Sequence, residues 1–238
     1  MEYYKGNIAK AGTKKSKYDR LTSLRDPYLQ RARACSVLSL PTLIAPEGSG
    51  GSTVLPTPYQ SLAARGVNNL AAKLLITLLP PNAPFFKLMV DDYVLEELTG
   101  EEGLRGEVEE AFNSIERSVM TELETTAIRP AVFELLKHLL VGGNVATYMP
   151  KEGGMKIFPL DKFVCRRNPM GDLVELITEE FVTIADLPEE MQAQVAGNGA
   201  TVDTENGEKT IGLYTCVRKD KKKWVVMQEA GGITVPDS

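Results

Sequence analysis

The stretch Pro56–Val90, PTPYQSLAARGVNNLAAKLLITLLPPNAPFFKLMV, decides how the chain reads. Leu62, Gly66, Leu70, Leu74 and Leu78 recur at every fourth position, which sets them in one stripe along a helix. Ala63, Ala64, Ala71 and Ala72 keep the flank of that stripe thin. A second helix can approach such a surface closely. Pro80 and Pro81 end the helix, because neither offers an N–H and each ring collides with the preceding turn. Phe85-Phe86-Lys87-Leu88-Met89-Val90 then reads as a strand. Leu62, Leu70, Leu74, Phe85 and Phe86 are the expected core, and nothing in the segment is catalytic chemistry.

Working outward, Ala45–Pro58 (APEGSGGSTVLPTP) is rich in Gly, Ser and Pro and reads as a connecting loop. Further upstream, residues 1–17 are polar and glycine-containing and read as a mobile basic tail, with helices from Tyr18 onward. On the other side, Asp91 and Asp92 read as a helix cap and Gly100–Gly103 as an interruption. Leu104, Val108, Phe112, Ile115, Val119 and Leu123 then form a helical face. Pro130 opens another helix, carrying Val132, Leu135, Leu136, Leu139 and Leu140, and Gly142-Gly143-Asn144 stops it with residues that tolerate positive φ.

After residue 144 the period changes from helical to alternating. Val145–Met149, Met155–Phe158, Phe163–Arg167 and Leu173–Phe181 read as antiparallel strands, with turns at Lys151–Gly154 and Asn168–Asp172. A short helix follows over Leu187–Val195, opened by Pro188, and then a polar loop over Gly197–Glu208. A last hairpin, Thr210–Val217 with Lys223–Gln228, turns through Arg218-Lys219-Asp220-Lys221-Lys222. The fold class is α+β: amino-terminal helices over 18–144, followed by a small antiparallel sheet region over 145–238.

Charge is distributed in blocks. Met1–Arg33 holds nine basic against three acidic residues, a balance of +6, whereas Asp91–Glu124 holds twelve acidic against two basic, a balance of −10. The two blocks can meet head to tail between neighbouring subunits, or each can be a solvated face that keeps the protein soluble. With a net charge of −5, the whole surface is not built to wrap nucleic acid, so any such contact is local. The candidates are Arg218, Lys219, Lys221, Lys222 and Lys223, with Trp224 beside them. A basic hairpin tip of this kind can follow phosphates, or it can blunt an edge while Trp224 packs inward, which is the favoured reading.

Catalytic signatures are missing. His138 is the sole histidine and sits in an apolar helix, so it reads as a structural residue rather than a general base or metal ligand. Cys35, Cys165 and Cys216 are odd in number and widely spaced, without a CxxC, and read as reduced thiols in small core positions. No GxxxxGK[ST] or GxGxxG occurs, and the acidic pairs Glu179-Glu180 and Glu189-Glu190 have no third ligand in sight. The expectation is no enzyme, no cofactor and no metal. No apolar run of membrane-spanning length is present, and the first residues lack a signal-peptide core.

One set of segments points further. Ala64-Arg65-Gly66, Asn68-Asn69-Leu70-Ala71, Lys73-Leu74, Leu79-Pro80 and Pro84-Phe85-Phe86 resemble, in order, the head-to-tail connector or portal proteins of short-tailed bacteriophages. Upstream, Tyr18-Asp19-Arg20-Leu21, Pro27-Tyr28, Arg31-Ala32 and Leu40-Pro41 agree with that family. Gly143-Asn144-Val145, Pro159-Leu160, Arg167 with Gly171, and Ala185–Glu189 continue the likeness downstream.

The resemblance implies a portal-wing fold and a structural subunit of a dodecameric ring at a capsid vertex. Its implied partners are capsid and scaffolding proteins, a tail adaptor, the terminase and viral double-stranded DNA, with no membrane. It also marks Arg65, Asn68 and Asn69 as candidate interface residues. Portal proteins continue into a stem, clip and crown, which this sequence is expected to lack. The alternative of another class is a nucleic-acid-binding module using the amino-terminal basic segment and the Arg218–Lys223 hairpin.

Overall fold

The structure is a computed structural model that describes residues 13–50, 52–81, 83–89, 105–151, 153–195, 201–202, 209–221 and 223–235. Several sequence expectations lie outside the described residues. They are Lys5 and Lys10 of the basic tail, Val90, the cap at Asp91 and Asp92, the Gly100–Gly103 break, Leu104 and Lys222. The acidic residues Glu96, Glu97, Glu101 and Glu102, the Glu190 side chain, and most of the 197–208 loop also lie there. The chain is α+β and divides into two compact units: Met1–Ala34 with Phe158–Ser238, and Cys35–Ile157.

In the first unit, helix α1 (Lys14–Leu38) begins four residues before the expected start at Tyr18. The reason is local: the Ser16 amide donates to Thr13 Oγ1 at 3.2 Å, so Thr13 caps the first turn. The sheet consists of β3 (Phe163–Arg167), β4 (Leu173–Thr183), β5 (Thr201–Val202), β6 (Lys209–Asp220), β7 (Lys223–Ala230) and β8 (Ile233–Thr234). Strand order is β3-β4-β6-β7-β8, all antiparallel, with β5 also paired to β6. Residues 201–202 of the expected loop are therefore strand.

Registered partners share a sheet face, so Val164, Ile177 and Cys216 form one row, and Tyr18 and Leu21 of α1 pack on it as a buried cluster. On the opposite face, α5 (Glu189–Val195) places Met191 and Val195 against Ile211 and Ala230. The β6–β7 hairpin is longer than the sequence indicates. β6 runs on to Asp220, paired with Lys223, and Lys221 takes φ 53° in the turn. Arg218 and Lys219 are thus strand residues rather than turn residues.

In the second unit, α2 (Leu62–Leu78), α3 (Arg105–Thr125) and α4 (Ile128–Gly142) accompany a two-stranded ladder, β1 (Ala146–Tyr148) with β2 (Lys156–Phe158). α2 ends just before Pro80 as the sequence requires, and α4 ends in Gly143 at φ 74°. The stripe on α2 differs from the expected one. Ala71 is the fully buried residue at 0 % exposure, while Leu62 is 73 % exposed and Leu70 is also exposed. Ala64, Val67, Leu74 and Leu75 are half-buried with Ala71, so the thin alanine side faces inward and part of the leucine stripe faces out.

Phe85 is exposed and Phe86 only half-buried, and residues 85–89 join no ladder. The Leu88 amide instead donates to the buried Glu116 carboxylate at 2.6 Å, which fixes the segment to α3 through a side chain rather than through a strand partner.

Candidate assembly surfaces and their supports

Arg65, Asn68 and Asn69 stand three and four residues apart on α2, and all three are exposed. Leu62, Ile76 and Leu78 on the same helix are also exposed, which gives α2 an outer surface of mixed apolar and polar character. The helix is held from its far end: the Arg129 guanidinium of α4 donates to the carbonyls of Leu79 at 2.6 Å and Pro80 at 2.8 Å. Those carbonyls lie where a helix end leaves acceptors unpaired, so Arg129 closes the α2 terminus and ties it to α4.

The basic hairpin does not form one cluster. The register places Arg218 in a row with Glu175 and Arg166, on the face that α1 covers, whereas Lys219 pairs with Trp224 on the opposite face. Lys219, Lys221 and Lys223 are exposed, and Arg218 is half-buried. Trp224 does not pack inward as the sequence suggested, and is 51 % exposed. Trp224 is the second residue of β7, directly after the turn and cross-paired with exposed Lys219, so it lies at the hairpin tip away from the buried rows.

Reasoning from sequence missed a polar network that sets α1 on the sheet. Glu175 is fully buried, yet Lys17 Nζ reaches Oε1 at 2.5 Å, Arg166 Nε stands 3.5 Å from Oε2, and the Cys216 thiol is 3.5 Å from Oε1. Burial alone would push the Glu175 carboxyl up. The Lys17 hydrogen bond and charge outweigh it, and the carboxyl is held below the ordinary glutamate value. Alongside, Arg25 Nη1 donates to the carbonyls of Leu160, Asp161 and Phe163 at 3.2, 2.8 and 3.0 Å. Tyr214 donates to Glu179 Oε1 at 2.8 Å, and its ring lies 5.5 Å from that of Tyr18. One signal was visible: Glu175 interrupts LVELIT, a strand in which an unpaired charge would be costly.

His138 is buried in α4, with Nε2 3.5 Å from Glu134 Oε1 one turn away. All three cysteines are free thiols. Cys216 is buried, but Cys35 and Cys165 are exposed rather than core. Among the described residues, no group of three or more His, Cys, Asp and Glu side chains is placed to hold a metal ion, and no helix is long and apolar enough to cross a membrane.

The described residues thus fix a helix to a sheet through buried charge and leave apolar and charged side chains outward. The chain belongs to the bacteriophage head to tail connecting protein family, whose description matches residues 11–235. It is 32 % identical over 231 residues to the portal protein of Escherichia phage T7, which covers 94 % of this chain and 42 % of that protein. With the portal protein of Enterobacteria phage T3 it shares 32 % identity over 212 residues, covering 87 % and 39 %. The portal protein of Enterobacteria phage SP6 is 29 % identical over 222 residues, covering 92 % and 42 %. The chain thus spans about two fifths of the length of the curated relatives it matches.

Proposed function

We propose that this chain is the wing-region part of a portal subunit. It forms a ring at one capsid vertex and serves head assembly, DNA packaging and DNA ejection through a short tail. The observation that carries this reading is the collinear match over residues 11–235, shared with a T7 portal protein aligned to 94 % of the chain. The role is structural and non-enzymatic, and the protein is a virion component assembled in the host cytoplasm. Its partners are further copies of itself in a twelve-membered ring, capsid and scaffolding proteins, a tail adaptor, the terminase and the viral DNA.

Within this reading, residues 18–144 are the helical part of the wing and 145–238 its β-rich part. Arg65, Asn68 and Asn69 on the outer side of α2 supply polar contacts between subunits. Light scattering followed by negative-stain imaging of the purified chain tests the reading. Closed rings support it. A strict monomer at all concentrations overturns ring closure by this stretch of chain.

A further inference from the structure

The sheet of the first unit carries a partly bare patch on the face opposite α1. α5 covers one end of this face through Met191 and Val195. At the hairpin end the registered row Cys165, Leu176, Val217 and Val226 is only half-covered or exposed, and beyond it come the exposed pair Lys219 and Trp224 and the exposed turn residue Lys221. Met170, in the β3–β4 turn, stands beside it with its side chain in solvent. The result is an apolar strip across four strands, roughly 14 Å wide at the spacing of a sheet, with cations along its rim. About nine residues of helix cover that width.

α3 has the complementary pattern. It holds six glutamates against two arginines, and on its exterior Ile115 and Val119 stand one turn apart and exposed, with Glu107, Glu110 and Glu122 also exposed. We propose that the hairpin end of the sheet docks α3 of a second copy of this chain, seating Ile115 and Val119 against Trp224 and Val226 while Lys219 and Lys221 face the glutamates. Charge complementarity selects this occupant. A single-stranded nucleic acid would need several aromatic platforms, and the strip offers only Trp224. The inference rests on the self-assembly reading above but names a particular pair of surfaces, which repeat head to tail from copy to copy.

Trp224 is the only tryptophan in the chain, so it reports on its own burial. In the full chain, raising the concentration until light scattering records assembly is expected to blue-shift Trp224 emission and cut its quenching by iodide severalfold. Lys219→Glu with Lys221→Glu is expected to raise the concentration needed for assembly about tenfold, as loss of close charge pairs does. Adding Glu107→Lys and Glu122→Lys to the same chain is expected to restore it.

Assembly with Trp224 still fully quenchable, or charge reversal with no effect or no rescue, overturns the inference while leaving the ring reading intact. A chain that never assembles is decided by titrating a peptide of Arg105–Thr125: a saturable, salt-sensitive shift of Trp224 supports the inference, and no shift overturns it. A shift produced by duplex DNA and not by this peptide also overturns it.

Discussion

Lys17 and Glu175, 158 residues apart in sequence, meet at 2.5 Å inside the first unit, with the Glu175 side chain fully buried and the Lys17 side chain 23 % exposed. The pair joins α1 to the second strand of the sheet. Removing one partner of a buried pair leaves an uncompensated charge, so Lys17→Ala is expected to cost about 3 kcal/mol. Glu175→Gln, which removes the charge and keeps the shape, is expected to cost less. Urea denaturation of both variants, followed by circular dichroism, checks the order.

The same pair sets an acid limit. Glu175 is held below the ordinary glutamate value, so its contribution to stability is complete above the unfolded value, ~4.3, and is lost as pH falls through the lower folded one. At the alkaline end Cys216, pushed up to about 11, loses its contribution first, and Tyr18 follows. Burial, opposed by the Arg25 charge, pushes its phenol up to about 12. Its contribution is therefore complete below the unfolded value, ~10, and drains away as pH rises toward 12. Thermal melts from pH 3 to 11 are expected to show a plateau that falls at both ends; Glu175→Gln is expected to flatten the acid limb and, because that carboxylate helps raise the Cys216 thiol, to soften the onset of the alkaline limb.

Arg25 is expected to matter more than its place on an outer turn of α1 suggests. Its guanidinium answers three carbonyls at the entry to β3 and lies 5.8 Å from the Tyr18 ring centroid. Arg25→Ala is expected to cost about 2 kcal/mol, the scale of a charge-assisted hydrogen bond. Arg25→Lys is expected to recover only part: all three carbonyls are reached by Nη1 at the tip of the longer arginine side chain, and the shorter ammonium cannot keep all three distances. Chemical denaturation of the two variants measures the difference.

Thiol chemistry is expected to separate the cysteines. Burial and the adjacent Glu175 carboxylate push the Cys216 thiol up to about 11, whereas Cys35 and Cys165 are exposed. A chromogenic disulfide at pH 8 is expected to titrate two thiols promptly and the third only on unfolding. Fast labelling of all three would show that α1 does not hold its place on the sheet.

Much of the helical and strand order was legible because it rests on local chemistry. Pro80 stops α2, Gly143 stops α4, and the alternation from Phe163 to Phe181 gives β3 and β4. What escaped depends on partners remote in sequence. Spacing alone cannot tell which side of α2 faces inward, because alanines and leucines satisfy the same period, and here Ala71 occupies the buried position while Leu62 does not. Phe85–Met89 has the composition of a strand but lacks a neighbour to pair with, and Glu116 takes its amide instead. The basic run 218–223 reads as one patch in sequence, yet strand alternation sends Arg218 and Lys219 to opposite faces. Arg65, Asn68 and Asn69 are proposed through resemblance alone, since exposed polar residues on a helix carry no periodic signal.

The first unit is assembled from residues at both ends of the chain, with the second unit's residues 35–157 translated between them. During synthesis α1 therefore emerges long before the strands that accept it. At ~5–20 residues per second, Lys17 waits on the order of ten seconds before Glu175 exists. For that interval Tyr18 and Leu21 have no sheet to cover them, and α1 waits for the strands that bury it. Changes that delay β4 and β6 lengthen this exposure, so the yield of the folded first unit depends on how promptly those strands follow α1.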